Sequence, residues 1–363
     1  MAKRIIIAGG GTGGHIFPAV AIANALRKID EQTEILFVGA KGRMEMEKIP
    51  QAGYKIVGLD IAGFNRSSLI KNLGLPFKLL KSFLQVRKVF NEFRPDAVIG
   101  VGGYSSFPVL RTAQAKGIPS FIHESNSFAG KANKMLAKKA TLVFTGTEGM
   151  EKFFPADKIL VSGNPVRSNI AESGFSREEG IRFFSLDPGK SCLLVVGGSL
   201  GAKTINEAID KGLDQLLAEG IQLIWQTGKP YADQAKKRAE GKRQVWAGDF
   251  ISSMEYAYAA ADLVIARSGA MTVAELALVK KPVLFVPFPF AAEDHQTVNA
   301  KMLADKNAAM MLKDDQAATE LVPAAIRLLK DPAKCGELIQ NIAAFGRKDA
   351  DRMIAEEILK RIR

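Results

Sequence analysis

Short apolar runs alternate along the chain with longer stretches in which apolar residues recur at helical spacing. The first run covers residues 3–8 and ends in the glycine-rich segment 9–14. A predicted helix at 18–28 and a second apolar run at 34–38 follow, which indicates a βαβ unit. Later runs that predict strands are 97–101, 120–122 and 141–144. This alternation predicts an α/β domain whose parallel sheet carries helices on both faces.

The same pattern starts again in the second half of the chain. Residues 191–196 predict a buried strand that ends in a second glycine-rich loop, 197–202. The runs that follow predict a helix at 203–217 and strands at 222–226, 245–246, 263–266 and 283–286. Glycine and proline at 163–167 mark the join between the halves. We therefore expect three parts: domains at 1–164 and 165–342, and a terminal helix within 343–363.

Composition fits a globular protein and excludes several other classes. The 363 residues are 47% hydrophobic and 24% charged, as in ordinary folded chains and unlike disordered ones. No apolar run approaches the ~18–20 residues that span a bilayer, and the N-terminal run is shorter than a signal-peptide core of about 7–15 residues. Two cysteines and three histidines indicate neither a disulfide framework nor a metal cluster. The expectation is a cytoplasmic chain.

Positive charge is concentrated in one half of the chain. Of the net charge of +12, residues 1–164 carry +11 and residues 165–363 carry +1. The two predicted domains are therefore expected to meet different partners.

The first glycine loop has the spacing of a phosphate-binding turn. Segment 9–14 fits G-x-G-x-x-G directly after a strand, where backbone N–H groups and a helix N-terminus favour an anion. A dinucleotide site also expects an acid at the end of the second strand, but Lys41 and Arg43 follow that strand. These two could hold a 2′-phosphate, so an NADP site remains an alternative, as does a glycine turn that serves only tight packing. Neither alternative explains His15 where the loop meets the helix, and no G-K-[ST] of a Walker A loop is present.

A second polar cluster follows the predicted strand 263–266. The N–H groups of residues 270–272 begin the next helix and could face a diphosphate. Glu275 could accept hydrogen bonds from two vicinal ribose hydroxyls; the alternative is a first-turn acid that complements the helix dipole. The following loop and helix start, 288–299, carry side chains suited to a polyhydroxy ligand or to ordinary helix capping: Asp294, His295, Gln296 and Asn299.

Seven segments in order along the chain carry a family resemblance. They are GGGTGGHIFPAVAIANAL (9–26), GVGGYSSFP (100–108), HESN (123–126), GNPVR (163–167), VVGGSLGAKTIN (195–206), RSGAMTVAEL (267–276) and PFPFAAEDHQTVNA (287–300). With them the sequence resembles the MurG family of peptidoglycan glycosyltransferases. Ser125 and His295 depart from the pattern, since some members have Gln at these positions.

The resemblance implies a GT-B fold, in which two Rossmann-like parallel-sheet domains face each other across a cleft. It implies that the C-terminal domain binds UDP-N-acetylglucosamine and that the N-terminal domain binds lipid I, undecaprenyl-diphospho-N-acetylmuramoyl-pentapeptide. It implies an inverting transfer to the 4-hydroxyl of the muramoyl sugar, which gives lipid II, with the terminal helix returning to the first domain. A GT-B enzyme acting on another lipid acceptor, and a non-catalytic nucleotide-sugar-binding protein, remain alternatives. No Asp-x-Asp motif is present, so neither a cofactor nor an obligatory metal is expected.

The family's functional positions carry over onto this sequence one by one. Arg167 and Ser199 are expected at the donor diphosphate, Glu275 at the ribose and the Ile251 backbone at the uracil. Gln296 and His295 are expected at the sugar hydroxyls. The remaining positions expected to bind UDP-N-acetylglucosamine are Thr12, Gly13, Gly14, Asn126, Asn206, Ala270, Met271 and Thr272.

A single displacement needs a base for the acceptor hydroxyl but no protein nucleophile. His15 is our candidate, because it follows a glycine loop and an imidazole titrates near neutral pH. His123 and Glu124 are its rivals, in a predicted turn after a strand. Glu124 could instead orient an imidazole.

The basic half also predicts a membrane-facing surface. Residues 61–94 hold seven Lys or Arg against one acid, Glu92, interleaved with leucine and phenylalanine. Such a patch is typical of a surface that lies on an anionic bilayer, here peripherally on the cytoplasmic face. The alternatives are core leucines beside solvating lysines, and nucleic-acid binding, which the lack of polar base-reading residues disfavours. Positions assigned to the acceptor and membrane are Leu75, Phe77, Lys78, Lys81 and Tyr104.

Overall fold

The computed structural model describes residues 2–62, 74–198, 200–291 and 294–362. The chain forms two compact units, one of Met1–Arg167 with Asp349–Arg363 and one of Ser168–Lys348. Both divisions fall a few residues after the predicted boundaries. Arg167 belongs to the first unit, where its guanidinium lies 4.5 Å from the centre of the Phe17 ring.

The first unit is a parallel sheet with helices on both faces. Its elements are β1 (Arg4–Ala8), α1 (Gly13–Ile29), β2 (Glu34–Ala40), α2 (Glu45–Gln51), β3 (Lys55–Leu59), α3 (Leu75–Phe93), β4 (Ala97–Gly100), α4 (Ser106–Ala115), β5 (Ser120–Glu124), α5 (Lys131–Ala137), β6 (Leu142–Thr145), β7 (Ile159–Val161) and, from the end of the chain, α15 (Ala350–Arg361). The described strands lie in the order β3-β2-β1-β4-β5-β6-β7, and each neighbouring pair is parallel.

Alternate residues of β1 supply the two faces of this unit's core. Ile5 and Ile7 pack in the cluster that includes α1 and α15, whereas Ile6 packs in the cluster that includes α3, α4 and α5. All three side chains are fully buried, and burying an isoleucine contributes about 1.5–3 kcal/mol. Lys3 Nζ also donates to the Ile362 carbonyl at 2.8 Å, so the terminal helix is tied to the start of β1.

The second unit repeats the architecture with a smaller sheet. Its elements are α6 (Ser168–Ala171), α7 (Arg177–Phe183), β8 (Cys192–Val196), α8 (Lys203–Ala218), β9 (Gln222–Gln226), α9 (Ala232–Ala239), β10 (Val245–Gly248), α10 (Met254–Ala260), β11 (Leu263–Ala266), α11 (Ala270–Val279), β12 (Val283–Phe285), α12 (His295–Ala304), β13 (Met310–Met311), α13 (Ala317–Leu329) and α14 (Pro332–Ile342). The described strands lie in the order β10-β9-β8-β11-β12-β13, all parallel.

The strand order of each sheet identifies where a ligand would bind. Successive strands run outward in one direction from β1 and in the other from β4, and likewise from β8 and β11. In open α/β sheets, ligands bind beyond the carboxyl ends of the strands at such a reversal. The loops after β1 and β4, and those after β8 and β11, are therefore the candidate binding loops of their units.

Within the described ranges, no helix is long and apolar enough to cross a membrane.

Candidate active site

The two glycine loops of the first unit interlock beyond β1 and β4. Gly10 N–H donates to the Gly102 carbonyl at 3.3 Å. Gly102 and Gly103 have φ values of 104° and 88°, and a Cβ on Gly103 would lie 2.5 Å from the Gly10 carbonyl oxygen. Ser106 Oγ lies 2.9 Å from both the Ala8 and the Gly102 carbonyl oxygens. Glycine is thus required here by backbone conformation and by close approach.

His15 lies in the first turn of α1, against these loops. The helix begins at Gly13, earlier than predicted, so His15 is helical rather than at a loop junction. Its Nδ1 lies 3.2 Å from the Gly10 carbonyl, and a Cβ on Gly102 would lie 2.8 Å from its Nε2. Burial lowers the pKa of His15 to about 4, although the nearby Glu45 carboxylate opposes this shift. The imidazole is therefore neutral at neutral pH, and it is partly accessible to solvent.

His123 lies close by but is enclosed. His123 and Glu124 were predicted to lie in a turn after the strand. This prediction is wrong, because the strand β5 extends through Glu124. The His123 side chain is fully buried, with Nε2 3.4 Å from the Gly163 carbonyl and Nδ1 3.4 Å from Ser125 Oγ. Burial lowers the pKa of His123 to about 4, although its hydrogen bond with the Gly163 carbonyl opposes this shift. A positive charge on His15 would lower the pKa further.

The Glu124 carboxylate is occupied by donors from its own loop. Oε1 accepts from the Asn126 backbone at 3.2 Å and from its side chain at 3.3 Å. Oε2 accepts from Gly130 N at 3.0 Å and from Asn133 Nδ2 at 2.9 Å. Glu124 therefore organises the 125–133 segment, including the predicted site residue Asn126, and no described hydrogen bond joins it to an imidazole.

The other predicted residues of this unit occupy the same end of the sheet. Thr12 precedes α1, and its carbonyl accepts from His15 N at 3.1 Å; Gly13 and Gly14 form the first turn. Tyr104 follows the glycine loop after β4, which contains Gly102 and Gly103, and is 54% exposed. Arg167 stacks on Phe17 of α1.

The lowered pKa values of His15 and His123 predict a pH-dependent stability. Because each folded-state pKa is near 4, below the ordinary value of about 6.5, the unfolded chain binds protons first as the pH falls. Stability that is fully present above about pH 6.5 is then lost as the pH approaches about 4, by up to about 1.4 kcal/mol per pH unit per histidine. Urea unfolding at about pH 7, 6 and 5 should show this slope, and His123→Gln should reduce it. An unfolding free energy that stays level over this range would contradict the prediction.

In the second unit, Arg267 and Gln296 hold the strand ends together. Arg267 Nη1 donates to the Val286 and Pro287 carbonyls at 2.9 and 3.0 Å and pairs with Asp314. The Gln296 backbone carbonyl accepts a hydrogen bond from Ser268 Oγ at 2.7 Å. Gln296 Oε1 accepts from Phe288 N at 3.0 Å, which leaves its amide nitrogen for other partners.

The N-terminus of α11 is suited to binding an anion, and the helix also carries a buried acid, Glu275. Gly269 is its N-cap, and residues 270–272 form its first turn, where N–H groups lack acceptors within the helix. Glu275 lies in the second turn, so the dipole-complementing alternative does not fit its position. The Glu275 side chain is 8% exposed and accepts from the Tyr258 hydroxyl at 2.8 Å. His295 begins the nearby helix α12.

Two predicted donor-site residues have their hydrogen-bonding groups turned inward. Asn206 is 1% exposed; its Nδ2 donates to the Thr227 carbonyl at 2.8 Å and its Oδ1 accepts from Trp225 Nε1 at 3.0 Å. It therefore holds Thr227, whose carbonyl oxygen would lie 2.2 Å from a Cβ on Gly201 of the glycine loop 197–202, instead of lining a surface. The Ile251 N–H donates to Gln226 Oε1 at 3.0 Å, so only its carbonyl remains for a base. Ser199 lies outside the described residues.

One buried acid of the first unit, Glu45, could not be recognised from the sequence pattern. The sequence shows no acid at the end of the second strand, yet the structure brings Glu45 there from the start of α2, 1% exposed. The usable signals were two glycines, Gly10 and Gly39, whose missing side chains make room for it. Lys41, considered for a 2′-phosphate, pairs with Asp60 at 2.9 Å instead.

No cluster of three or more His, Cys, Asp or Glu with metal-binding geometry occurs among the residues described.

Comparisons with known proteins cover nearly the whole chain. Residues 5–145 match the glycosyltransferase family 28 N-terminal domain, and residues 192–357 match the family 28 C-terminal domain. A Parabacteroides distasonis protein named UDP-N-acetylglucosamine--N-acetylmuramyl-(pentapeptide) pyrophosphoryl-undecaprenol N-acetylglucosamine transferase is 51% identical and covers 98% of both chains. A Phocaeicola vulgatus protein of the same name is also 51% identical, covering 98% of this chain and 96% of its own.

Solved structures agree with these sequence matches. The crystal structure of Acinetobacter baumannii MurG is 30% identical, with a TM-score of 0.77 and 99% of each chain covered. A UDP-N-acetylglucosamine 2-epimerase is 17% identical with a TM-score of 0.68, and this similarity shows the fold alone. The two parallel-sheet units are those of the GT-B fold, as predicted. Since close relatives match it at about half of all positions over nearly their full length, the chain belongs to the MurG family, within glycosyltransferase family 28.

Proposed function

We propose that this protein transfers N-acetylglucosamine from UDP-N-acetylglucosamine to the 4-hydroxyl of the muramoyl sugar of lipid I, with inversion, giving lipid II. The names of relatives that match over the full chain supply the two substrates. The observation that carries the chemistry is the neutral, partly accessible imidazole of His15, held against two glycine loops at the strand-order reversal of its sheet.

On the acceptor side, His15 is the base. With Nδ1–H donating to the Gly10 carbonyl, Nε2 carries the lone pair that takes the proton of the acceptor hydroxyl. The surroundings of the rivals support this assignment, because His123 is fully buried and Glu124 is occupied by four donors.

On the donor side, local dipoles meet the charge of the departing diphosphate. The helix α11 begins shortly after β11 ends, so its N-terminus lies at the carboxyl ends of the strands, where the helix dipole favours an anion. Glu275 then accepts from the ribose hydroxyls, the Ile251 carbonyl meets the uracil, and the Gln296 amide meets the sugar. Asn206 acts here by fixing the second glycine loop through Thr227.

A transfer assay tests the function. The purified protein, given UDP-N-acetylglucosamine labelled in the sugar and a lipid I analogue, should move the label to the lipid and release an equal amount of UDP. An analogue without the 4-hydroxyl should accept nothing. Transfer to a diphosphate-linked lipid that lacks the muramoyl sugar, at the same rate as to lipid I, would favour the alternative acceptor. UDP binding without any transfer would favour a non-catalytic binding protein.

We also propose that α3 docks the protein on an anionic membrane. Phe77, Leu80 and Leu84 are 78%, 63% and 58% exposed, and their spacing places them on one helix face. Lys78 is exposed beside them, and Leu75 is partly buried. The opposite face of α3, with Val86 and Phe90, packs in the core. The stretch 63–73, with Arg66 and Lys71, lies outside the described residues.

The charge of this face is smaller than its lysines alone indicate. Lys81 pairs with Asp60 at 2.9 Å, as does Lys41 on the other carboxylate oxygen. Hydrogen bonds from Lys41 and Lys81 lower the pKa of Asp60 to about 2, so the acid is ionised at neutral pH. Apolar contact therefore carries more of the proposed docking than the sequence suggested.

Replacing the exposed apolar residues should release the protein from lipid. The triple variant Phe77→Ser, Leu80→Ser, Leu84→Ser removes three apolar side chains from the interface. Burial of each such side chain contributes roughly 1.5–3 kcal/mol to binding. Its sedimentation with anionic vesicles should fall at least tenfold, whereas Met135→Ser, which removes a 68% exposed side chain elsewhere in the unit, should change nothing. Vesicle binding that persists in the triple variant would contradict this docking face.

A further inference from the structure

Glu45 is a buried acid between the first glycine loop and the end of β2. A Cβ on Gly10 would lie 2.2 Å from Glu45 Cδ, and one on Gly39 would lie 2.5 Å from Cγ. The two glycines thus leave the space that the Glu45 side chain fills. The side chain is only 1% exposed.

Both carboxylate oxygens of Glu45 bind backbone N–H groups. Oε2 accepts from Gly11 N at 2.8 Å, and Oε1 accepts from Ala40 N at 2.9 Å. The acid therefore joins the glycine loop to the end of the neighbouring strand β2. It also occupies a backbone donor of the loop, Gly11, that a phosphate-binding turn would offer to its ligand.

Gly10 connects this carboxylate to His15. The Gly10 Cα packs against the Glu45 side chain. The Gly10 carbonyl oxygen lies 3.2 Å from His15 Nδ1. Among the described residues, the groups that act electrostatically on or with the imidazole are Glu45 from α2 and His123 from β5. Arg167 stacks on Phe17, two residues further along α1. Of these three, only Glu45 is an acid, and it raises the pKa of His15 against the effect of burial.

We propose that Glu45 is a positioning residue of the transfer reaction: its carboxylate holds the loop whose Gly10 carbonyl orients His15, and its charge stabilises the imidazolium that forms. In that step the acceptor O–H bond breaks and an N–H bond forms at Nε2. The acceptor oxygen bonds to the anomeric carbon, and the electron pair of the broken C–O bond leaves with UDP. The inference rests on the proposed role of His15 as base.

Glu45→Gln tests this kinetically because it keeps the shape and removes the charge. We expect kcat to fall at least tenfold, the KM for UDP-N-acetylglucosamine to stay within twofold, and the acid limb of the kcat profile to move to lower pH. Glu47→Gln, on the exposed side of the same helix, should match the wild type. An unchanged kcat, or a lower kcat with an unmoved acid limb, would overturn the electrostatic part of the proposal.

Imidazole ¹⁵N NMR tests the proposed coupling of Glu45 to His15 without measuring turnover. It reports the tautomer of His15 in the wild type and its titration in the wild type and in Glu45→Gln. His15, assigned by comparison with His15→Gln, should carry its proton on Nδ1, and its titration should shift to lower pH in Glu45→Gln. A proton on Nε2, or an unshifted titration, would overturn the proposal even if the variant is inactive. If instead the titration shifts while His15→Ala retains full turnover, the base assignment fails and the Glu45–His15 coupling stands.

Discussion

Replacing His15 by alanine is expected to lower kcat for transfer by about two to four orders of magnitude, the usual contribution of a general base. His15 is not among the residues expected to contact the donor, most of which lie on the second unit, so the affinity for UDP-N-acetylglucosamine should change less than threefold. Steady-state rates with a lipid I analogue, beside calorimetric titration of the donor, measure the two effects separately.

His123→Gln is the matched comparison, because this imidazole lies on β5 of the same sheet and has a similarly lowered pKa. It should keep most of the turnover, provided that its melting temperature shows an intact fold. Turnover within threefold of wild type in His15→Ala, together with its loss in His123→Gln, would move the base role to His123.

Replacing Glu275 by glutamine is expected to raise the KM for UDP-N-acetylglucosamine by about 10- to 100-fold, with a smaller effect on kcat. Hydrogen bonds to a charged group contribute roughly 1.5–3 kcal/mol, and the Glu275 carboxylate is 8% exposed. Glu255→Gln, on the neighbouring helix α10, removes a surface carboxylate bonded to Asn169 and serves as the control.

A 2′-deoxyribose donor separates ribose binding from a structural role of Glu275. If the carboxylate accepts from the ribose, the penalty of Glu275→Gln should shrink severalfold with this donor. Tyr258→Phe removes the hydroxyl that donates to Glu275 at 2.8 Å. Should Tyr258→Phe alone reproduce the full loss, Glu275 would be holding α10 instead of the nucleotide.

The central strands could be predicted from the sequence, whereas of the four described edge strands only β10 could. Runs at 222–226 and 263–266 match β9 and β11 residue for residue, because buried apolar residues form the centre of β9, at 223–225, and the whole of β11. The missed strands β3, β7 and β13 all lie at sheet edges and have five, three and two residues, and their pairing depends on the neighbouring strand. Short mixed runs such as Lys55–Leu59 carry too little local pattern to be recognised.

The candidate site could be located from motifs, but the direction of its side chains could not. Motif position placed Asn206 beside the donor, whereas the fold turns its amide onto Trp225 and Thr227. Glu45 was missed for the opposite reason. Its role depends on Gly10 and Gly39 from other elements, and the sequence shows only an acid at the start of a short helix.

The linkage and anomeric configuration of the product decide whether the protein catalyses the proposed transfer. From UDP-N-acetylglucosamine and a lipid I analogue, proton NMR of the purified product should show one new sugar, β-linked to the 4-position of the muramoyl residue. That result requires a single inverting displacement by the acceptor 4-hydroxyl. An α-linked product, attachment at another hydroxyl, or release of free N-acetylglucosamine without transfer would contradict the account.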